Sequence, residues 1–372
     1  MLGQGLKSFT PEPIAFLSEM KNFLTETDKK EGEKIHEEFS LLWNGGAFSI
    51  EQQESIYRTS NAMLKKRMKA FPDFKNYFNA LMSFAGSNQS AQSFTAWQAS
   101  QDKLLLMASK HFTNYIISCN DLFRDNSLYS SSSTRWYTLS KNYTFEFDSV
   151  PKIVFTKMDL ICVTKGDSSV IYDTEGSLYP TFDQFAGKGG KVNWLRAGFE
   201  ENIVNVKLSN YKIDVRSSEY SADSVLFTNT VYFQQPLLGF YKDKILANVN
   251  PETASYPRFE SYTAGLEIKN IVPDINYRGG FSMNGNKMIG SGADDEPAQL
   301  FFSRDNKPFL IAYSKGFVIR KDKITSDNAS VKIFFEGDSI FHPGLSFKYI
   351  VGDRELALIR GEDGKSKSPY YD

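Results

Sequence analysis

The stretch Val206–Pro236, VKLSNYKIDVRSSEYSADSVLFTNTVYFQQP, decides how this chain is to be read. Tyr211, Ile213 and Val215 alternate with Lys212, Asp214 and Arg216. That period of two sends one side chain inward and the next outward on a half-buried strand. Ser217-Ser218-Glu219 interrupts the run, and Ser221-Ala222-Asp223-Ser224-Val225-Leu226-Phe227 resumes it. Its Asp-Ser element returns in Asp148-Ser149-Val150, Asp167-Ser168-Ser169-Val170 and Asp338-Ser339-Ile340, and Ala329–Ile333 is a looser echo. Asp and Ser side chains bond nearby backbone N–H groups, so the pair reads as the turn that leads into a strand, not as a ligand set. The stretch therefore predicts a β framework, with the helices as a separate piece.

Outward from this stretch, the same texture fills the C-terminal side of the chain. Tyr143, Phe145 and Phe147 alternate with polar neighbours, and Lys152–Phe155 and Leu160–Val163 come next as strands. Gly187-Lys188-Gly189-Gly190, Arg278-Gly279-Gly280, Asn284-Gly285-Asn286 and Gly290-Ser291-Gly292 read as turns. No long helical pattern intervenes, which excludes βαβ units and leaves a mostly antiparallel jelly roll, sandwich or solenoid-like region.

The N-terminal side has the other period. Thr10-Pro11-Glu12 reads as a helix entry with Thr10 as the cap, and Ile14, Leu17 and Leu24 keep helical spacing. Ser49-Ile50-Glu51-Gln52 matches a capping box, and one long helix is expected from Ser90 to about Asn120. The fold class is thus α+β and multidomain. An all-α bundle of about five helices over 1–126 precedes a linker or loop at 127–135 and a β-rich domain over 136–372. A subdomain break is expected near 250–275.

The composition of the 372 residues bounds the function. With net charge −1 and only 23% charged residues, no field draws the chain to nucleic acid. No apolar run is long enough to span a bilayer as a helix. Met1–Gly5 lacks the features of an export signal and reads as a stub left where one was removed. The two cysteines, Cys119 and Cys162, read as buried thiols. His36, His111 and His342 have no metal-site spacing, and no nucleophile elbow or phosphate loop occurs, so no catalytic residue is assigned.

What remains is aromatic and acidic. Tyr179, Phe182 and Trp194 gather around the Gly187–Gly190 turn, and Tyr256, Arg258 and Tyr262 form a second aromatic group. Such loops either tuck onto the β core or bind sugars or partner proteins by stacking and apolar contact. Asp294-Asp295-Glu296 is an acidic tip with the chemistry to hold calcium, the one cofactor considered.

Several segments carry a resemblance. They are Gly189–Trp194, Tyr220–Val225, Pro236–Gly239, Tyr256–Tyr262 and Gly279–Met283. In these the chain resembles the N-terminal part of large exported envelope proteins of Bacteroidota-type bacteria. Ala222–Phe227 with Leu238-Gly239 is similar to the repeat of the lipopolysaccharide-transport β-jellyroll family. The resemblance implies export to the periplasm, outer membrane or cell surface. It also implies that a chain ending at Ser368-Pro369-Tyr370-Tyr371-Asp372 is cut from something longer. The expectation is a non-enzymatic scaffold or binding protein, its helices meeting another envelope protein or the missing C-terminal region, its β domain a partner or glycolipid. The alternative is a carbohydrate-binding or carbohydrate-active protein.

Overall fold

The computed structural model describes residues 6–246, 250–304 and 307–359. Met1–Gly5 and Ser368–Asp372 lie outside them. The chain forms α-helices first and antiparallel strands after, and it divides into two compact units. The first comprises Met1–Lys188 with Lys212–Ser218, the second Gly189–Tyr211 with Glu219–Asp372.

In the first unit the helices are α1 (Pro13–Thr25), α2 (Lys29–Asn44), α3 (Ile50–Lys65), α4 (Lys75–Gly86), α5 (Ala91–Leu104) and α6 (Ser109–Asp125). The capping box forms: Ser49 accepts the Gln52 N–H at 3.3 Å, and the Gln52 side chain takes the Ser49 N–H at 2.8 Å. At α1 the cap is Glu12, not Thr10. Its carboxylate accepts the N–H groups of Ile14 and Ala15, while Thr10 donates to Glu19. Rings fill the core, with Phe16 against Trp43 at 5.3 Å and against Tyr57 at 4.8 Å.

The single helix expected over Ser90–Asn120 is two helices. Leu104, Leu105, Leu106 and Met107 are four consecutive apolar residues, and one helical face cannot hold them all. The turn buries Leu104 and Leu105, leaves Leu106 outside, and gives the Met107 carbonyl to the Lys66 ammonium.

The strands of this unit are β1 (Ser127–Ser130), β2 (Arg135–Thr138), β3 (Tyr143–Phe147), β4 (Pro151–Thr164), β5 (Asp167–Tyr179) and β6 (Gln184–Lys188). The serine-rich run expected to be a linker is β1 and its turn to β2. Ser127 and Leu128 are buried, and the Ser131 hydroxyl accepts the N–H groups of Ser133 and Thr134. Serine hydroxyls supply the hydrogen bonds of the turn, so a polar composition conceals a hairpin.

Strand β4 pairs with β2 and β3 along one edge and with β5 along the other, and β6 adds to β5. Helix α6 packs on β1 and α5 on β3, with Phe123 and Phe145 at 5.8 Å. Helices and first strands therefore share a core, and the chain divides neither at 126 nor near 250–275.

The chain enters the second unit through β7 (Lys191–Asn193) and β8 (Val204–Lys207), and β9 (Asn210–Asp214) leads it into the Lys212–Ser218 segment of the first. It then continues through β10 (Glu219–Asn229), β11 (Leu237–Lys244), β12 (Arg258–Ser261), β13 (Leu266–Val272) and β14 (Ile275–Asn284). The last strands are β15 (Lys287–Ser291), β16 (Ala298–Arg304), β17 (Lys307–Ser314), β18 (Gly316–Ile319), β19 (Lys323–Phe335), β20 (Asp338–Ile350) and β21 (Glu355–Ile359). Strands β7, β8, β10, β11 and β12 pair in that order, and β12 passes the sheet on to β14.

Of the Asp-Ser elements, Asp167-Ser168 and Asp338-Ser339 do open strands, each Asp carboxylate accepting the next N–H. Asp223-Ser224 does not. It lies inside β10, where the register against β11 shifts between Ala222 and Val225 and Ser224 has φ +53°. The pair forms a bulge there, which re-aims the Asp223 carboxylate out of the alternation.

Strand β14 is the hinge of the second unit's strand pairing. Before Gly279 its neighbours are β13 and β16; after Gly280 they are β12 and β15. The pairings β14–β15, β15–β18, β18–β19, β19–β17, β17–β16 and β16–β14 then close a circuit. Six strands paired in a closed circuit have the connectivity of a small barrel, which leaves no free edge around that ring. Gly279-Gly280, expected as a turn, is the bend of a continuous strand. A Cβ on Gly279 would stand 2.4 Å from the Tyr277 hydroxyl, and the residue has φ +154°.

Candidate functional site

Four strands part company where β14 changes neighbours, and the gap is a cleft of about 300 Å³. One wall is the end of β12 with the loop behind it, Glu260 to Gly265; the other is the loop Ser291–Pro297 with Gln299 of β16. Between them runs the bent part of β14, Arg278 to Ser282.

The floor is bare backbone, and at Gly292, where a neighbouring backbone atom stands in the way, glycine is required. A Cβ on Gly280 would lie 2.4 Å from the Ser291 hydroxyl, and one on Gly292 would lie 2.1 Å from the Ala298 nitrogen. Beneath the floor, the buried Tyr277 hydroxyl donates to the Gly280 carbonyl at 2.5 Å. Burial raises the Tyr277 pKa, so this phenol stays a neutral donor.

Tyr262 stands at the rim, half exposed, and its ring is fixed. Its N–H bonds the Leu238 carbonyl at 3.1 Å, its hydroxyl donates to the Asp223 carboxylate, and that hydroxyl accepts the Ser224 N–H at 3.2 Å. The phenol thus reaches across β11 to the bulge of β10. Arg278 lies between Glu267 of β13 and Gln299 of β16 in the ladder, and Glu260 lies opposite Ser282. Glu260 and Glu296 add two exposed carboxylates to the lining.

The residues singled out in the sequence are distributed differently from the grouping expected. Tyr179 and the exposed Phe182 lie at the β5–β6 turn of the first unit, while the other four aromatic-group residues belong to the second. Trp194 is fully buried, because the Gly285 carbonyl accepts its indole N–H at 3.0 Å and lets the whole ring join Phe227 and Tyr241. It is core, not a ligand platform. Tyr256 is covered by the Arg258 guanidinium at 4.3 Å, and Arg258 donates to the Ser255 carbonyl at 2.8 Å. Of that group Tyr262 alone lines the cleft.

The acidic tip is divided. Glu296 lines the cleft, whereas Asp294 is paired with Lys315. Among the described residues no three His, Cys, Asp or Glu side chains are grouped to hold a metal ion. Both cysteines are buried.

Glu260 and Gln299 were not singled out by sequence reasoning, while Asp223 read as part of a turn-forming Asp-Ser pair and Arg278 only as the residue before a Gly-Gly turn. The signal at hand was the Gly-Gly after Arg278 together with Gly290-Ser291-Gly292, both of which read as ordinary turns. Comparison of the chain with protein-family models, with curated proteins and with solved structures finds no match. Among the described residues no helix is long and apolar enough to cross a membrane.

Proposed function

We propose that this chain is a non-catalytic binding protein of the cell envelope, and that its second unit holds a short saccharide in the glycine-floored cleft. One observation carries the reading: a fixed aromatic ring, a guanidinium, an amide and two carboxylates line one floor of bare backbone. A sugar ring offers an apolar face for stacking and a rim of hydroxyls for planar polar groups, and a cleft of this size suits a small ligand. The helical unit is assigned protein contacts, supported by exposed apolar residues such as Ile14 and Leu41. The envelope setting rests on the segment resemblances alone.

A glycan array followed by titration calorimetry tests the reading. Tyr262→Ala and Arg278→Ala remove saccharide binding, while Phe182→Ala, in the other unit, leaves it intact. An array with no ligand defeats the proposal. The presence of Glu260 and Glu296 in one cleft favours a second reading, a carbohydrate-active enzyme. Release of reducing ends from a bound polysaccharide, lost in Glu296→Gln, would select it.

A further inference from the structure

A second cleft, of about 540 Å³, lies elsewhere in the second unit, and its chemistry is different. It is lined by Asp274 of the β13–β14 turn, Phe302 to Arg304 of β16, Phe309 of β17, Tyr349 of β20, and Arg354 and Leu356 around the start of β21. Phe302 stands behind it, with the rings of Phe309 at 6.3 Å and Tyr349 at 5.3 Å. Phe302 and Tyr349 are buried in the core behind the cleft, while the half-buried Phe309 and Leu356 and the exposed Pro273 supply its accessible apolar surface.

Two guanidinium groups sit on this wall. Arg304 stacks over the Phe309 ring at 4.8 Å, and Arg354 meets the Asp274 carboxylate at 3.4 Å. Turn chemistry fixes both members of the pair. Pro273-Asp274 closes the β13–β14 hairpin with Asp274 at φ +66°, and its carbonyl takes the Ser303 N–H at 3.0 Å. Arg354 ends the β20–β21 loop at φ +52°.

Asp274 balances one arginine, so Arg304, Arg354 and Asp274 together leave one positive charge in the cleft. Stacking uses the face of the Arg304 guanidinium and leaves its edge of N–H donors for an acceptor. That planar fork matches a carboxylate or a phosphate. A bare inorganic anion would leave the apolar surface of Pro273, Phe309 and Leu356 uncovered, and a neutral apolar molecule would leave the guanidinium without its complement.

We infer that this cleft is a binding site for an organic anion, a carboxylate or phosphate carried on an apolar body. The site is separate from the saccharide cleft and does not depend on it.

Ligand-observed NMR titration of the whole chain with phenyl phosphate, inorganic phosphate and benzyl alcohol tests the inference. Phenyl phosphate is expected to bind at least about tenfold tighter than either of the others, each of which lacks half of the complement. Arg304→Gln lowers its affinity about tenfold, Phe309→Ala removes its advantage over inorganic phosphate, and Arg258→Gln, a stacked arginine elsewhere, changes nothing. Unaltered thermal midpoints confirm that the variants fold; Arg304 is exposed, so its replacement leaves the core intact. The inference is overturned by no binding of phenyl phosphate up to about 10 mM. Equal affinity for phenyl phosphate and phosphate, or undiminished binding by Arg304→Gln, overturns it as well.

Discussion

Replacing Arg196 by Met should cost the second unit more stability than any surface change. Arg196 sits in the short helical turn after Trp194, and its guanidinium donates to the Asp243 carboxylate at 2.7 Å and to the Lys244 carbonyl at 3.0 Å. The Asp243 side chain is fully buried and that of Arg196 only 11% exposed. Removing the cation strips a desolvated carboxylate of a charged partner, which typically costs about 3–5 kcal/mol. Asp243 keeps the Lys244 N–H, at 2.8 Å, so the lower half of that range applies. With a urea dependence of about 2–3 kcal/mol per molar, the midpoint falls by about 1–2 M. The assay has a local reporter, since Trp194 is the second unit's tryptophan while Trp43, Trp97 and Trp136 belong to the first. Fluorescence in a background with those three changed to Phe isolates the unit. The double variant Arg196→Met with Asp243→Leu should recover most of the loss, because two apolar groups leave no buried carboxylate to compensate. A single-variant loss under about 1 kcal/mol, or a double variant no better than the single, refutes the reasoning.

Three further outcomes are expected. Gly285→Ala should destabilise the second unit by at least about 2 kcal/mol in the same urea assay, since a Cβ there meets the Ala254 carbonyl at 1.8 Å and the residue has φ +59°. Gln101→Met should raise the thermal midpoint of the first unit: Gln101 is fully buried and neither amide atom finds a partner, so an apolar replacement recovers about 1 kcal/mol or more. His36 sets a pH dependence, because burial, and then Lys21, lower its pKa. The unfolded chain takes the proton first, so the contribution of His36 to stability is full above its ordinary pKa of about 6.5. It is lost as pH falls through the lowered native value, and His36→Gln should flatten that part of the urea-midpoint profile.

The class of fold was legible because it rests on periodicity. The alternation at Tyr211, Ile213 and Val215 corresponds to three buried side chains, and the Ser49 capping box forms. The division into units was not legible. It depends on where cores lie, and Phe123 meeting Phe145 joins helix to strand across a serine run that composition alone marks as a break. The candidate cleft was legible only at its aromatic edge. Tyr262 stood out as a ring among turn residues, whereas Asp223 matched the turn-forming Asp-Ser pairs and revealed its different use only through a register shift. Gly279-Gly280 failed for a related reason. Glycines that turn a chain and glycines that bend a strand look alike until the neighbouring strands are known.

The Lys212–Ser218 segment belongs to the first unit although its flanks belong to the second. Its Val215 N–H bonds the Asp183 carbonyl at 2.9 Å, and its Ser217 carbonyl accepts the Trp136 indole N–H at 2.8 Å. Two compact bodies are therefore laced by one thread that crosses between them three times. No single cut in the chain yields both bodies whole, and a fragment stopped at Lys188 lacks the residues that hold Asp183 and Trp136. During synthesis the bonds of Val215 and Ser217 with Asp183 and Trp136 cannot form until the chain has passed Ser218. By then the opening strands of the second have already been made, so the order of residues along the chain is not the order in which the bodies are completed.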